Sequence, residues 1–166
     1  MRWNRSIAGV ATVLALALGA VACGGSSSPG SSQAGGTQGG APGTIDVAKS
    51  SLGDIVVDSK GWTLYLFTKD ANGKSACTDS CASAWPPATV SGTPTAGGGL
   101  DAGMLGTTTR ADGTTQVTYN GHPLYRFSGD AKAGDTNGEG ASAFGAAWYA
   151  VSSKGDAVKK KSSGGY

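Results

Sequence analysis

The chain has 166 residues, 29 of them glycine, with 13 basic and 11 acidic side chains, one histidine and three cysteines. Two of the bases, Arg2 and Arg5, stand at the extreme N-terminus, and three more form the run Lys159-Lys160-Lys161. With those set aside the remainder is net acidic, which excludes a basic domain of the nucleic-acid-binding kind.

The N-terminus reads as an export signal. Arg2 and Arg5 are the basic flank of an uncharged apolar run from Ile7 to Ala22. That run falls short of the roughly 20 residues a helix needs to span a bilayer and suits the apolar stretch of a signal peptide. The two arginines are not adjacent, so there is no twin-arginine signal. Small residues, Ala20-Val21-Ala22, precede Cys23, and this resembles the lipobox of bacterial lipoproteins, with Ala20 where the pattern favours Leu. The expectation is a signal peptide over 1–22 and a lipid on Cys23, diacylglyceryl plus N-acyl, that holds the mature chain on the outer face of the cell membrane. Two chains or more anchor firmly, at about 0.8 kcal/mol per buried methylene. The alternatives are an ordinary secreted protein with Cys23 incidental and a transmembrane anchor, which needs a longer span.

Residues 24–43 contain eight Gly and five Ser and no charge. Such a segment cannot bury enough apolar surface to offset its ordering entropy, so 23–43 is expected to be a flexible tether of about 25 Å r.m.s. span. The exported β domain is then expected over 44–158. Cys77 and Cys81 are an even pair in an oxidising compartment and read as one disulfide pinning a short turn, worth about 2 kcal/mol by loop entropy.

The most informative feature is an internal repeat. Gly61-Trp62-Thr63-Leu64-Tyr65-Leu66-Phe67-Thr68-Lys69-Asp70 aligns with Gly121-His122-Pro123-Leu124-Tyr125-Arg126-Phe127-Ser128-Gly129-Asp130, sharing Gly, Leu, Tyr, Phe and Asp at one spacing. Trp85 matches Trp148 further on. The units run from about 50 to 90 and from 105 to 152, and the Gly/Pro/Thr-rich stretch 91–103 reads as a linker. Ile55-Val56-Val57 turning through Asp58–Gly61 into Trp62–Phe67 predicts a hairpin, and so does Gln116–Tyr119 running into Asn120-Gly121.

These motifs resemble the bacterial lipoproteins built from tandem secreted repeats of unknown function, marked by Tyr-x-Phe-x-x-Asp. Tyr65-Leu66-Phe67-Thr68-Lys69-Asp70 and Tyr125-Arg126-Phe127-Ser128-Gly129-Asp130 both carry the motif. So do the surroundings: Cys77-x-x-x-Cys81-x-x-x-Trp85-Pro86-Pro87, Tyr119–Tyr125 and Gly134–Gly138. The resemblance covers nearly the whole exported part and implies no activity.

Strand alternation places Tyr65 with Phe67, and Tyr125 with Phe127, on one face of each unit. Trp62, Leu64 and Leu66 lie opposite in the first copy; His122, Leu124 and Arg126 do so in the second. The aromatic faces are expected to meet in a common core capped by Trp85 and Trp148, since neither unit could bury its rings alone. The fold expectation is mainly β: a small antiparallel domain of two pseudo-symmetric hairpin repeats, with at most single helical turns at 80–84 or 141–147.

Candidate chemistry is sparse. Asp70 and Asp130 read as turn residues accepting backbone N–H bonds, with paired ligand sites as the alternative. Asp70–Gly73 and Asp135–Gly138 share Asp-x-Asn-Gly, but Gly falls too early for an EF-hand, so tight turns are expected over a Ca²⁺ site at Asp135 and Asn137. His122 is a candidate metal ligand without a partner at zinc or haem spacing. Cys77 and Cys81 lack thioredoxin spacing. No G-x-S-x-G elbow is present, and a triad would have to use His122. The expectation is a non-enzymatic envelope module with no cofactor beyond the lipid, binding an envelope protein or small ligand and no nucleic acid. A redox or metal protein and an inert spacer are the alternatives. The tail 159–166 is expected to be a basic, disordered end.

Overall fold

The computed structural model describes residues 43–159. The signal peptide, Cys23, most of the tether and the tail beyond Lys159 lie outside the described residues. Each repeat begins with a hairpin. β1 (Thr44–Ser50) pairs antiparallel with β2 (Gly53–Asp58). β1 lies ahead of residue 50, where the repeat pattern becomes legible. The chain turns at Gly61, φ +82°, a conformation that costs glycine little, and enters β3 (Tyr65–Phe67). A single helical turn, α1 (Ser80–Ala84), follows the disulfide loop.

The second copy repeats the plan. β5 (Leu105–Thr109) pairs with β6 (Thr115–Tyr119), which pairs with the short β7 (His122–Pro123) across the predicted Asn120-Gly121 turn. Both turn residues have positive φ, 49° and 76°, as a two-residue hairpin turn requires. β9 (Ala146–Ala150) then pairs with β3 of the first copy.

Two stretches differ from expectation. The 91–103 linker carries a strand, β4 (Thr95–Ala96), which adds in parallel to β1, and a 3₁₀ turn, Ala102–Met104. Residues 141–147 form no helical turn. They form a hairpin, β8 (Ser142–Ala143) with β9, because Phe144 and Gly145 both sit at positive φ and reverse the chain.

The two copies join at Tyr65 and Tyr125, whose backbones exchange two hydrogen bonds of 2.8 and 2.9 Å. The segment after each tryptophan then crosses to the other copy: Pro87 and Thr89 bridge to Tyr125 and Gln116, while Ala150 and Ser152 pair with Tyr65 and Ile55. This exchange is an approximate internal twofold.

The aromatic faces do meet, but the tryptophans are not caps. Trp85 and Trp148 stack on each other at 3.9 Å between centroids, 5° from parallel. Phe67 stacks on Trp148 at 4.0 Å, and Phe127 on Trp85 at 4.3 Å. Each tryptophan is thus sandwiched between its counterpart and the other copy's phenylalanine. Tyr65 and Tyr125 meet the tryptophans edge-on. Packed with them are Ile55, Val57 and the disulfide. The leucines of the opposite strand faces are buried as well. Leu64, Leu66 and Leu124, with Ile45, Val56, Val117, Tyr119 and Val151, build a second core. β3 is therefore buried on both sides.

Truncating one face of the stack leaves a void that rigid neighbouring rings cannot fill. Trp148→Ala is expected to cost about 3–5 kcal/mol, read as a fall in the denaturant midpoint. Gly138 is packed against Trp85 and Tyr65, and a Cβ there would lie 2.9 Å from ring atoms of both. Gly138→Ala is expected to cost about 1–3 kcal/mol by overpacking, in the same assay.

Candidate functional site

The motif aspartates reach further than a local turn. Tyr65 donates its hydroxyl to Asp130 Oδ2 at 2.8 Å, and Tyr125 donates to Asp70 Oδ2 at 2.7 Å. Each repeat's tyrosine is held by the other repeat's aspartate. The second carboxylate oxygens accept backbone N–H bonds that fasten the loops: Asp70 Oδ1 from Ala76 and Asp130 Oδ1 from Asn137. The pattern suggests a turn two residues on; the structure has carboxylates spanning six and seven residues as well as the repeat interface.

Burial raises the pKa of both aspartates above the usual carboxylate range, against the pull of the tyrosine and backbone donors. Arg110 and His122 also lie near enough for their charges to favour ionised Asp70. Both tyrosines are pushed well above their usual value, chiefly by burial. The hydroxyls therefore stay protonated and act as donors.

Beside Asp70 sits Arg110, only 8% exposed. Its guanidinium donates to Ser75 Oγ and Gln116 Oε1, each at 2.8 Å, and to the Cys77 carbonyl at 2.8 Å. Asp112 meets its Nε at 3.5 Å. Arg110 thus ties the disulfide loop to β6. Nothing in the repeat pattern marks Arg110, because two of its partners, Ser75 and Cys77, lie 35 and 33 residues away in the other copy. The Cys77–Cys81 disulfide is formed, with both residues buried against Trp85.

The remaining sequence candidates scatter. His122 is half-buried in β7, paired with Tyr119. Asn72 and Gly73 form a left-handed turn, φ 52° and 70°. Asn137 and Gly138, despite the matching Asp-x-Asn-Gly letters, instead cover the Tyr65 hydroxyl, which the Gly138 N–H approaches at 3.3 Å. Asp135 accepts from the backbones of Ala131 and Lys132 and pairs with the Lys132 amine. Among the described residues no group of three or more His, Cys, Asp or Glu side chains is placed to hold a metal.

Open space lies beside Arg110, where Ser75, Thr78, Asp79 and Asp112 help line a charged cleft of about 410 Å³, and around the loop Val90–Pro94, where the clefts are uncharged. One cleft of about 500 Å³ is lined by Gly43, Thr89, Ser91, Thr93, Thr114 and Thr115. A second, of about 400 Å³, runs between the same loop and Leu105–Thr107 of β5. Hydroxyls and backbone line both, offering donors and acceptors without charge. The threonines carry no sequence signal, because only the fold gathers three separate segments here.

Removing the Tyr125 hydroxyl leaves the Asp70 carboxylate short of a donor. Tyr125→Phe is expected to cost about 1–3 kcal/mol at neutral pH. A carboxyl raised on folding contributes stability that is full below the ordinary carboxylate range and is lost as pH rises through its folded value. Without the tyrosine donor Asp70 is raised further, so the deficit of the variant should narrow as pH falls through that value. Asp112 and Asp135 are lowered, mainly by hydrogen bonds to Thr114 and Lys132, and act oppositely: their contribution is lost as pH falls. Denaturant titrations of parent and variant at several pH values check the difference, in which those two groups cancel.

No curated protein and no solved structure matches the chain. One family does, described as a secreted repeat of unknown function, and it matches twice, over residues 46–89 and 106–152. Those two spans are the interlocked halves described above and cover more than half of the sequence. The chain belongs to this secreted-repeat family and carries two copies of its repeat.

Proposed function

We propose that the protein is a lipid-anchored, non-enzymatic binding module of the bacterial envelope. Membership of a secreted-repeat family makes it an extracytoplasmic module. No helix among the described residues is long and apolar enough to cross a membrane. Anchoring rests on Cys23 and the small residues before it. The binding reading rests on one contrast. The tyrosines and motif aspartates are engaged with one another inside the fold, and Arg110 is held by Ser75, Gln116 and the Cys77 carbonyl, while the clefts around Val90–Pro94 present uncharged donors and acceptors to solvent. A cleft of that kind suits a neutral polar ligand, and a tether of about 25 Å would let the domain search for it above the membrane.

The anchor is checked by intact mass of the membrane-extracted chain. A mass beginning at a lipid-modified Cys23 is expected, with Cys23→Ser moving the protein to the soluble fraction; an unmodified N-terminus would remove the anchor. The binding role is checked by amide exchange of the purified full chain with and without solubilised envelope extract. Protection over 89–94 and 105–115 is expected. Unchanged exchange in both segments would overturn the binding reading.

A further inference from the structure

One break in the internal twofold lies at the outer edges of the two hairpins. Val56 and Val117 are equivalent, since each accepts the N–H of its repeat's leucine, Leu64 or Leu124. Val47 pairs with Val56 and Thr107 with Val117, so β5 stands in the second copy where β1 stands in the first. The start of the outer edge of β1 is covered, at Gly43–Ile45. β4 lies against it in parallel, with the Thr95 N–H on the Gly43 carbonyl and the Gly97 N–H on the Ile45 carbonyl, at 3.1 and 2.7 Å. β5 has no such neighbour among the described residues.

The ladder shows what β5 leaves open. The Asn120 N–H bonds to Met104, and the Arg110 N–H to Thr114, so even-numbered residues direct their backbone toward β6. Leu105, Thr107 and Thr109 therefore direct theirs outward. The Leu105 N–H is taken by Ala102. The Leu105 carbonyl and both backbone groups of Thr107 and Thr109 have no backbone partner among the described residues. Exposed edges are commonly blunted by charge, proline or a bulge. β5, Leu-Gly-Thr-Thr-Thr, has no charge and no proline, and the adjoining Arg110 is turned inward. Met104, one of two exposed large hydrophobic residues among the described residues, stands at its start, and the second cleft runs along Leu105–Thr107.

We propose that β5 is a strand-accepting edge that takes an extended polypeptide segment of a partner protein, laid parallel to β5 in the manner of β4 on the start of β1 but further along the strand. The backbone groups of Leu105, Thr107 and Thr109 hold the added strand, and small or hydroxylated side chains such as those of β4 fit the adjoining cleft. This rests on the binding reading above and names its ligand as peptide.

The test is an NMR titration of the full chain in detergent micelles with a synthetic peptide of residues 91–99, blocked at both ends, whose sequence contains β4. Amide shifts are expected at Thr107 and Thr109. Thr107→Pro removes an outward N–H that β6 does not use, and should weaken binding at least tenfold, while Thr107→Val should bind as the parent does. Thr109→Pro gives a second blocked edge should Thr107→Pro fold poorly. No shift along β5, shifts confined to Thr44–Ser50 from exchange with the chain's own β4, or undiminished binding by both proline variants would overturn the proposal. So would a dimer abolished by Thr107→Pro, which assigns the edge to a second copy. Envelope extract that protects 89–94 while the peptide leaves β5 silent would sink the strand proposal and leave the binding module standing.

Discussion

The structure depends on an exchange: each repeat supplies the tyrosine that the other repeat's aspartate holds. Tyr65 bonds to Asp130 and Tyr125 to Asp70, while the two tyrosine backbones bond directly to each other. A buried hydroxyl or carboxylate without a partner costs about 1–3 kcal/mol, more for the charged group. A repeat separated from its twin would expose or orphan all four groups. The same holds for the rings, because each tryptophan needs the other copy's phenylalanine to complete its sandwich. The repeat is half of a closed unit, which explains why it occurs twice in one chain.

Closure of this kind uses up the residues that look chemically active. The aspartates carry raised pKa values because they are buried, and in another setting such values would point to acid–base catalysis. Here each carboxylate meets a tyrosine hydroxyl on one oxygen and a backbone N–H on the other. Arg110 is likewise held by Ser75, Gln116 and the Cys77 carbonyl. The disulfide loop, the aspartate loops and β6 are thereby fastened to one framework.

Departures from the twofold are where the two copies become distinct. Arg126 replaces Leu66 at the matching position, and its guanidinium pairs with Asp58, at the turn of the first hairpin. β4 covers the start of β1, and among the described residues no strand covers the outer edge of β5. Loop Val90–Pro94, which exists because the chain must pass from one copy to the next, lines both uncharged clefts. The connection between the repeats is thus the most individual part of the surface.

Local and periodic features were legible in the sequence. Asn120-Gly121 specified its turn, because few residue pairs tolerate two consecutive positive φ values. Alternation put Tyr65 with Phe67, and Tyr125 with Phe127, on the faces that meet. Cysteine parity indicated the Cys77–Cys81 bridge. What depends on contacts between distant residues was not legible. Alternation names a face but not its partner, so the central place of Trp85 and Trp148, the burial of Leu64 and Leu124 in a second core, and the crossing of each tyrosine to the far aspartate were decided by tertiary packing. Strand β4 is set the same way: Thr95 and Ala96, between Pro94 and Gly97, are too short a stretch to signal a strand and take strand form because the backbone of β1 offers hydrogen bonds there. Phe144-Gly145 turns because β8 and β9 pair around it, although phenylalanine is a poor residue for that conformation. Sequence periodicity determined the elements and their apolar faces, since those follow from backbone geometry within a few residues; the interlocking of the halves required all of them at once.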